Sequence, residues 1–306
     1  MNRLLSVLAA GFLLLDPGGT RGEGFQDGRT AGVRLENSKI VITGNGVKGG
    51  KSDGYQLKRP CWYEPGPGAD EMLKTQEDVR AYWFRMNPNG TEEEFEKFLK
   101  QFKDKIGQPG RWWTPAYNEA DSRGRACWGG LDEFVWVPPG TTPPSGITLA
   151  ELAEIARAAL TVPEPNVKLN PDAKSYVNLP TWVWLDGVGE TTRSVTASIP
   201  GVMSATVTAT LEDIKIDPGT KDKRRAEVRE QCGTSGKPYV KGGEFTCGVR
   251  YLQSSVDQRR EVYVLTVTTV WPVEVADDVV PFQYAPVEVQ AQRDVPVGEV
   301  QSTVRP

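Results

Sequence analysis

Alternation of apolar and polar positions dominates the chain after residue 166 and predicts a series of β-strands. Residues 205–211 alternate between aliphatic residues and Thr, and Ser194–Ile199 repeat this period of two. The run Tyr176–Asp186 is apolar on both faces, which is typical of a central strand, and we assign Trp182 and Trp184 on its one face to the core. Further strands are predicted at Cys247–Ser255, Glu261–Val275, Val287–Ala291 and Val295–Val300. Short strands separated by turn signals predict a C-terminal antiparallel, Ig-like β-sandwich over residues 166–306.

Helical periodicity is confined to the residues before this predicted sandwich. Helices are predicted at Thr75–Met86 and Thr91–Ile106, and the second begins with a capping box. A third helix, Thr148–Leu160, also begins with a capping box and forms the centre of a linking segment over residues 146–165. We expect this helix to dock on the sandwich or to bridge the two halves. The fold class is therefore mainly β, with a smaller α-containing N-terminal region.

The first sixty residues divide into two predicted segments. Arg3 and the apolar run Leu4–Leu15 predict a signal peptide over residues 1–20, with a retained membrane anchor as the alternative. Residues 21–60 predict a flexible Gly-rich segment with little core, inside which Lys39–Thr43 predicts a short strand. No later segment approaches 18 consecutive apolar residues, so we expect a mature chain without a transmembrane span. We place it outside the cell or in the cell envelope.

A glycine pattern follows the short strand. Gly44, Gly46 and Gly49 match G-x-G-x-x-G, which binds phosphates only when a helix follows and turns its N-terminal amides toward them. The sequence after Ser52 is rich in Pro and Gly and does not predict a helix. We therefore interpret the pattern as a glycine turn and expect no nucleotide cofactor.

Charge and composition narrow the function classes. The formal net charge is −4, which gives no electrostatic argument for binding nucleic acid or an anionic membrane. The chain contains no His, which excludes Ser-His-Asp and Cys-His catalysis and His-based zinc sites. We assign no catalytic, cofactor-binding or metal-ligating residue. The basic run Lys221–Arg225 is interpreted as a solvated loop rather than an anion site.

The four cysteines predict two disulfides formed in an oxidising compartment. Three pairings are open. We favour Cys61–Cys127 and Cys232–Cys247, because each pair lies within one predicted domain. The first pair then holds together a small disulfide-bonded, aromatic-rich and α-containing region over residues 61–145.

The aromatic side chains of this region carry the main functional question. The interpretation we favour is that a domain with few aliphatic residues uses them as its core. The alternative is a platform on which sugars stack, with four candidate ligand-facing residues: Trp112, Trp113, Tyr117 and Trp128. The nearby carboxylates, Glu119, Asp121, Asp132 and Glu133, would then supply the acid pair of a weak glycoside hydrolase.

Several sequence blocks carry a family resemblance. CWYEP, YVNLPTWVWLD, SVTAS, ATVTAT, KPYVKG, CGVRYLQSS and the VTTVW strand, in this order over residues 60–300, resemble an uncharacterised family of secreted actinobacterial proteins. The resemblance implies export, paired cysteines and a C-terminal β-domain, and it transfers no catalytic residue. The C-terminal part also resembles a polycystic-kidney-disease-type (PKD-like) Ig-like domain through its Y-x-x-S-S block, although the turn of that fold is Asp217-Pro218-Gly219 here.

These observations predict an exported, non-catalytic binding or structural protein of the cell envelope or of an exported assembly. Its partner is expected to be a protein or a cell-wall polysaccharide. The alternative is a carbohydrate- or cell-wall-binding protein, or a weak carboxylate glycoside hydrolase, that uses the aromatic region 112–136.

Overall fold

The computed structural model describes residues 23–24, 33–276, 280 and 283–300, so the predicted signal peptide lies outside the described residues. The helices are α1 Ala69–Asp78, α2 Arg80–Met86, α3 Glu92–Lys103, α4 Gly124–Trp128 and α5 Leu149–Ala159. The strands are β1 Glu23–Gly24, β2 Val33–Glu36, β3 Val41–Thr43, β4 Cys61–Pro65, β5 Arg111–Asn118, β6 Val135–Val137, β7 Val167–Asn170, β8 Ser175–Tyr176, β9 Pro180–Leu185, β10 Thr192–Ile199, β11 Met203–Thr210, β12 Asp213–Asp217, β13 Ala226–Glu230, β14 Cys247–Tyr251, β15 Tyr263–Trp271, β16 Val273–Val275, β17 Val287–Val295 and β18 Val297–Gly298.

These strands form four antiparallel sheets and one short parallel pair. The N-terminal sheet has the order β1-β2-β5-β4, with β6 also beside β5. The middle sheet has the order β16-β11-β10-β3. Two further sheets, β13-β14-β9-β7 and β12-β15-β17, bury the side chains of their facing sides in one shared core and so form a β-sandwich. Strands β18 and β8 pair in parallel beside it. The predicted mainly β fold is confirmed.

The sandwich contains fewer strands than the sequence predicts. Strands β10 and β11, which we assigned to it, belong instead to the middle sheet and contribute Val195, Ala197 and Val207 to a different core. The predicted strand Glu261–Val275 changes sheet at Pro272, since β15 lies in the sandwich and β16 in the middle sheet. Proline cannot donate a ladder hydrogen bond, so it is tolerated where one pairing ends and the next begins.

Helix α5 covers the inner side of the middle sheet. The predicted capping box is present, because the Thr148 side chain accepts from the Glu151 backbone and the Glu151 side chain accepts from Thr148. Its residues from Leu152 to Ala159 are all buried, so this helix is a core element as well as a connection. The buried Arg157 forms a two-point ion pair with Asp53 and thereby fastens the preceding segment to the helix.

The segment before residue 60 carries more core than we expected. Val33, Ile40, Ile42 and Leu57 are buried in the same core as α5, and β3 forms an edge of the middle sheet. The expectation of little core in this segment is therefore wrong for residues 33–57. The strand predicted at Lys39–Thr43 is confirmed as β3.

The glycine pattern allows close approach between backbones. Gly46 N–H donates to the carbonyl of Ser194 at 2.9 Å, and Lys51 exchanges two backbone hydrogen bonds with Val162. A Cβ atom on Gly44 would lie 2.1 Å from the Ser194 carbonyl oxygen, and one on Gly50 would lie 2.4 Å from that of Val162. Glycine is needed at positions 44 and 50 because any side chain would push these backbone segments apart.

The α-containing region differs from the sequence prediction in two places. The predicted helix Thr75–Met86 is two helices, and the first begins at Ala69, where the acidic Asp70 and Glu71 suit a helix N-terminus. Residues 111–118, for which we predicted no strand, form β5, which lies between β2 and β4 in the N-terminal sheet. Helix α3 begins at the predicted capping box of Thr91.

Both predicted disulfide pairings are confirmed. Cys61 on β4 is bonded to Cys127 on α4, and Cys232 is bonded to Cys247 on β14. Among the described residues, no helix is both long and apolar enough to cross a membrane.

Candidate functional site

The first two candidate ligand-facing residues lie in the interior. Trp112 and Trp113 are only 3% and 5% exposed. They point to opposite sides of β5: the Trp112 ring packs 4.9 Å from Phe102 of α3, whereas Trp113 belongs to the core beneath α5. The ligand-facing role is therefore wrong for these two residues, and the core interpretation that we favoured for them agrees with their burial.

The other two candidates lie together and are half-buried. The rings of Tyr117 and Trp128 are 5.9 Å apart, and the Trp128 indole N–H donates to the Pro115 carbonyl at 3.1 Å. Strand β5 and helix α4 hold this pair beside the Cys61–Cys127 disulfide. A ligand-facing role for Tyr117 and Trp128 stays a prediction.

Of the four carboxylates near this region, Asp121 and Glu119 are held in ion pairs, whereas burial raises the pKa of Glu133. Asp121 accepts two hydrogen bonds from the Arg123 guanidinium, which lowers the pKa of Asp121, whereas a general acid needs a raised pKa. Glu119 pairs with Arg34 at 3.4 Å on the surface. Within the described part of the chain, no cluster of three or more acidic or Cys side chains could hold a metal ion.

One carboxylate is completely buried. Glu64 on β4 accepts from the Ser38 hydroxyl at 2.6 Å, from the Lys39 backbone N–H at 2.6 Å and from the Trp62 indole N–H at 2.8 Å. Burial is the largest cause of its raised pKa, and the three donors oppose it. We interpret this group as the anchor that holds the residues before β3 to the N-terminal sheet, because two of its three donors belong to Ser38 and Lys39.

Trp182 on β9 lies beneath the loop between β13 and β14, which we consider the candidate functional site. Val183 and Leu185 face the sandwich core, so Trp182 and Trp184 lie on the outer side of their sheet. The predicted position of both rings in the sandwich core is therefore wrong. Trp182 is nevertheless buried, because the loop between β13 and β14 folds over it, while Trp184 is half-buried.

We call residues 233–246, closed by the Cys232–Cys247 disulfide, the disulfide loop. Its backbone continues the sheet beside β9: Lys237 N–H donates to the Val183 carbonyl at 3.0 Å, and the Ser235 carbonyl accepts from Leu185 N–H at 2.8 Å. Gly236 (φ +76°) is required at this point, because a Cβ atom would lie 2.5 Å from the Val183 carbonyl oxygen.

The tip of the disulfide loop rests on Trp182. The rings of Tyr239 and Phe245 meet the Trp182 ring edge-on at 5.7 and 5.5 Å. A backbone hydrogen bond from Gly243 to the carbonyl of Val240 closes the tip at 2.9 Å. The loop is therefore held by a covalent bond, by the sheet and by an aromatic cluster.

The outer side of this tip is open to solvent. Tyr239 is 46% exposed and Val240 is 61% exposed. Lys237 and Lys241 flank them and make no ion pair with any residue that the structure describes, and the loop also carries Glu244. The result is a loop, held in place from beneath, that presents two exposed apolar residues between charged ones.

Sequence reasoning did not find this site. The available signal was a run of Gly, Ser and Lys around Tyr239 and Val240 between two paired cysteines. That run identifies an exposed loop, but not the Trp182 support beneath it, which comes from a strand far away in the sequence.

Comparisons with known proteins give no relative from which a role could be transferred. No protein-family model matches the chain, and neither a curated protein nor a solved structure matches it.

Proposed function

We propose that this chain is an exported, non-catalytic binding protein of the cell envelope or of an exported assembly, and that the disulfide loop is its recognition element. Export is supported by the signal-like N-terminal run and by two disulfides, which persist in oxidising compartments. The proposal includes an Ig-like character for the sandwich, an architecture in which loops at the ends of strands make the specific contacts.

The exposure of Tyr239 and Val240 on a fixed loop is the observation that carries the proposal. The Tyr239 ring packs one edge against Trp182 and still leaves 46% of the residue exposed, and the adjacent Val240 is 61% exposed, so both present apolar surface to solvent. Tyrosine is enriched among the residues that dominate binding energies, because its ring buries a large area at little cost in side-chain entropy.

Rigidity strengthens the argument. A flexible loop loses conformational entropy on binding, whereas a loop already fixed in its bound shape does not. The disulfide, the hydrogen bonds to β9 and the Trp182 cluster remove most of that freedom before any partner arrives.

The aromatic region 112–136 is a weaker basis for carbohydrate binding or hydrolysis. Two of its four candidate rings are buried, and Asp121 is held in an ion pair. The pair Tyr117 and Trp128 is what supports this alternative, so the experiment includes it.

The test measures retention of the purified mature chain on isolated cell-envelope fragments, on peptidoglycan and on insoluble polysaccharides. We expect Tyr239→Ala to reduce retention about 30-fold, the effect of losing a binding hot spot of about 2 kcal/mol. Val240→Ser should reduce it in the same direction and to a smaller extent, because Val240 contributes less apolar area.

The matched control is Val202→Ser, since Val202 is 43% exposed in the turn between β10 and β11, on another part of the surface. It should leave retention unchanged. Equal retention of the native chain and Tyr239→Ala would overturn the proposed site. Retention lost in Tyr117→Ala and kept in Tyr239→Ala would favour the carbohydrate-binding alternative.

A further inference from the structure

Two adjoining shallow cavities lie on the outer side of the β12-β15-β17 sheet. Their volumes are about 320 and 350 Å³, and both are widely open to solvent. Val264 of β15 lines both, so together they form one surface feature that we call the Val264 cleft. Its other lining residues are Asp217, Gly219, Thr220, Lys221, Thr266 and Gln292 in the first cavity and Arg259 and Arg260 in the second.

The first wall of the cleft is the turn that follows β12. Gly219 (φ +82°) packs directly on the strand, because a Cβ atom there would lie 2.6 Å from the backbone nitrogen of Val264. The Asp217 carboxylate accepts from Gly219 N–H at 2.8 Å, and the Tyr251 hydroxyl donates to the Pro218 carbonyl at 3.1 Å. The turn is thus fixed by one hydrogen bond within it and by a second from a tyrosine of the sandwich core.

The second wall is the turn at Arg259–Glu261. Arg260 and Glu261 have φ values of 58° and 56°, a left-handed conformation that costs non-glycine residues free energy. The Ser255 hydroxyl donates to the Glu261 carbonyl at 2.5 Å and accepts from Val297 N–H at 2.9 Å. Two consecutive strained residues that are held from outside the turn are typical of a functional position.

A buried tyrosine pair supports both walls. The rings of Tyr251 and Tyr263 stack at 4.6 Å with their planes 16° apart. Tyr263 immediately precedes Val264, and its hydroxyl accepts from the Arg225 guanidinium at 3.0 Å. Arg225 also binds the Ser254 carbonyl, and it pairs with Asp257. Both turns are therefore fixed relative to Val264 of β15, which forms the floor of the cleft.

The cleft has an excess of positive charge. Lys221 and Arg259 make no ion pair with any of the residues described, whereas Arg260 pairs with Asp294 at 3.0 Å. Asp217 is the acidic residue of the lining. On a chain with a net charge of −4, two unpaired cations at the two ends of one cleft favour an anionic ligand.

The uncharged groups narrow the ligand class. The hydroxyls of Thr220 and Thr266 and the amide of Gln292 can each donate and accept hydrogen bonds. A ligand with many hydroxyl groups satisfies such a lining, and Val264 offers an apolar surface for its C–H groups. Because two cavities meet at Val264, the cleft fits a short chain of linked units better than one ring.

We propose that the Val264 cleft binds an anionic saccharide, a short sugar chain whose carboxylate or phosphate groups are held by Lys221 and Arg259. This proposal does not depend on the disulfide loop. It departs from the sequence interpretation of Lys221–Arg225 as a solvated loop: Arg224 and Arg225 pair with acidic residues, but Lys221 faces the cleft.

Calorimetric titration of the full mature chain with a trimer of galacturonic acid tests the proposal, with maltotriose as the neutral saccharide and inorganic phosphate as the simple anion. We expect binding of the acidic trimer, no binding of maltotriose, and an affinity for the trimer that falls at high salt because the charges are exposed. The variant Lys221→Gln/Arg259→Gln should bind the trimer at least tenfold more weakly.

The matched control is Lys223→Gln, which removes a neighbouring exposed lysine that does not line the cleft. It should bind like the native chain, and Tyr239→Ala should as well. Thermal unfolding of each variant verifies that it is folded. The proposal is overturned by undetectable binding of the trimer, by equal affinity for maltotriose, by unchanged affinity in the double variant, or by equal binding of inorganic phosphate, which would identify an adventitious ion only.

Discussion

Replacing the buried carboxylate Glu64 with Ala is the most direct test of how residues 33–43 are held to the N-terminal sheet. The substitution removes the shared acceptor of three donors. The Ser38 hydroxyl can rotate to another partner, but the Lys39 backbone N–H and the Trp62 indole N–H are fixed in direction. Both are left without an acceptor in a site from which solvent is excluded.

The magnitude follows from these two orphaned donors. A buried donor without a partner costs about 1–3 kcal/mol, and removing the buried carboxylate itself relieves part of this cost. We therefore expect the free energy of unfolding to fall by about 3 kcal/mol. For a chain of 306 residues the midpoint of thermal unfolding should fall by about 5 °C. Glu119→Ala, which removes an exposed ion pair with Arg34, is the control and should change stability by less than about 1 kcal/mol.

The pH dependence of the free energy of unfolding tests whether Glu64 is protonated in the folded state. Burial raises the pKa of Glu64 above its ordinary value of 4.5, in spite of the Lys39 ammonium nearby. The folded state then binds the proton more tightly than the unfolded state. The contribution of Glu64 to the free energy of unfolding is therefore largest at pH values below 4.5. It is lost as the pH rises through the raised pKa. Glu64→Gln has no titrating proton at this position.

Urea unfolding of the native chain and Glu64→Gln, from about pH 4 to about pH 7, provides the measurement. The native chain should be the more stable of the two at low pH, and the difference should shrink as the pH rises. A difference that grows with pH would refute the reasoning, since it would mean that the three donors outweigh burial and that the fold favours the ionised carboxylate. Unchanged stability in Glu64→Ala would equally refute the anchoring role.

Two further predictions concern the backbone and the disulfide loop. Gly50→Ala forces a Cβ atom to within 2.4 Å of the Val162 carbonyl oxygen and should lower the free energy of unfolding by about 1–3 kcal/mol. Gly129→Ala, whose Cβ atom would meet its nearest neighbour at 3.5 Å, should be close to neutral in the same urea titration. Replacing Cys232 and Cys247 together with Ser should cost about 3 kcal/mol by calorimetry, because the disulfide closes a short loop; a change below about 1 kcal/mol would contradict this assignment.

Local signals in the sequence were sufficient for several elements. The capping boxes at Thr91 and Thr148 identify the starts of α3 and α5, because each is made entirely by residues of the first helical turn. The disulfide pairs were predicted because each pair lies within one predicted domain. The strand character of the second half followed from alternation, which is a property of each strand by itself.

The elements that were missed depend on distant partners. Strand β5 has no alternation, because Trp112 is buried among the helices on one side and Trp113 beneath α5 on the other. It also contains Pro115, and proline is uncommon inside strands because it cannot donate a ladder hydrogen bond. For the same reason the sequence could not divide the strands between the sandwich and the middle sheet, since both have one buried and one polar side.

The candidate sites show the same limit. The sequence predicts Trp182 as a core residue, and the residue is buried. It lies on the outer side of its sheet, however, and it is buried by the disulfide loop, which follows it by about fifty residues. The residues of the Val264 cleft come from two turns and three strands, and none of these segments has an unusual composition alone. Only their arrangement in the folded chain places Lys221 and Arg259 around one strand.

The composition of the middle sheet has a consequence for the order of folding. Its edge strand β3 pairs with β10 through Thr43 and Thr196, and its other edge, β16, lies beyond the sandwich strand β15. The sheet therefore draws on the beginning, the middle and the end of the described chain, and such non-local pairing is slow to form. During synthesis, β3 remains without its strand partner until β10 has been made, so its unpaired edge is exposed to aggregation during that interval.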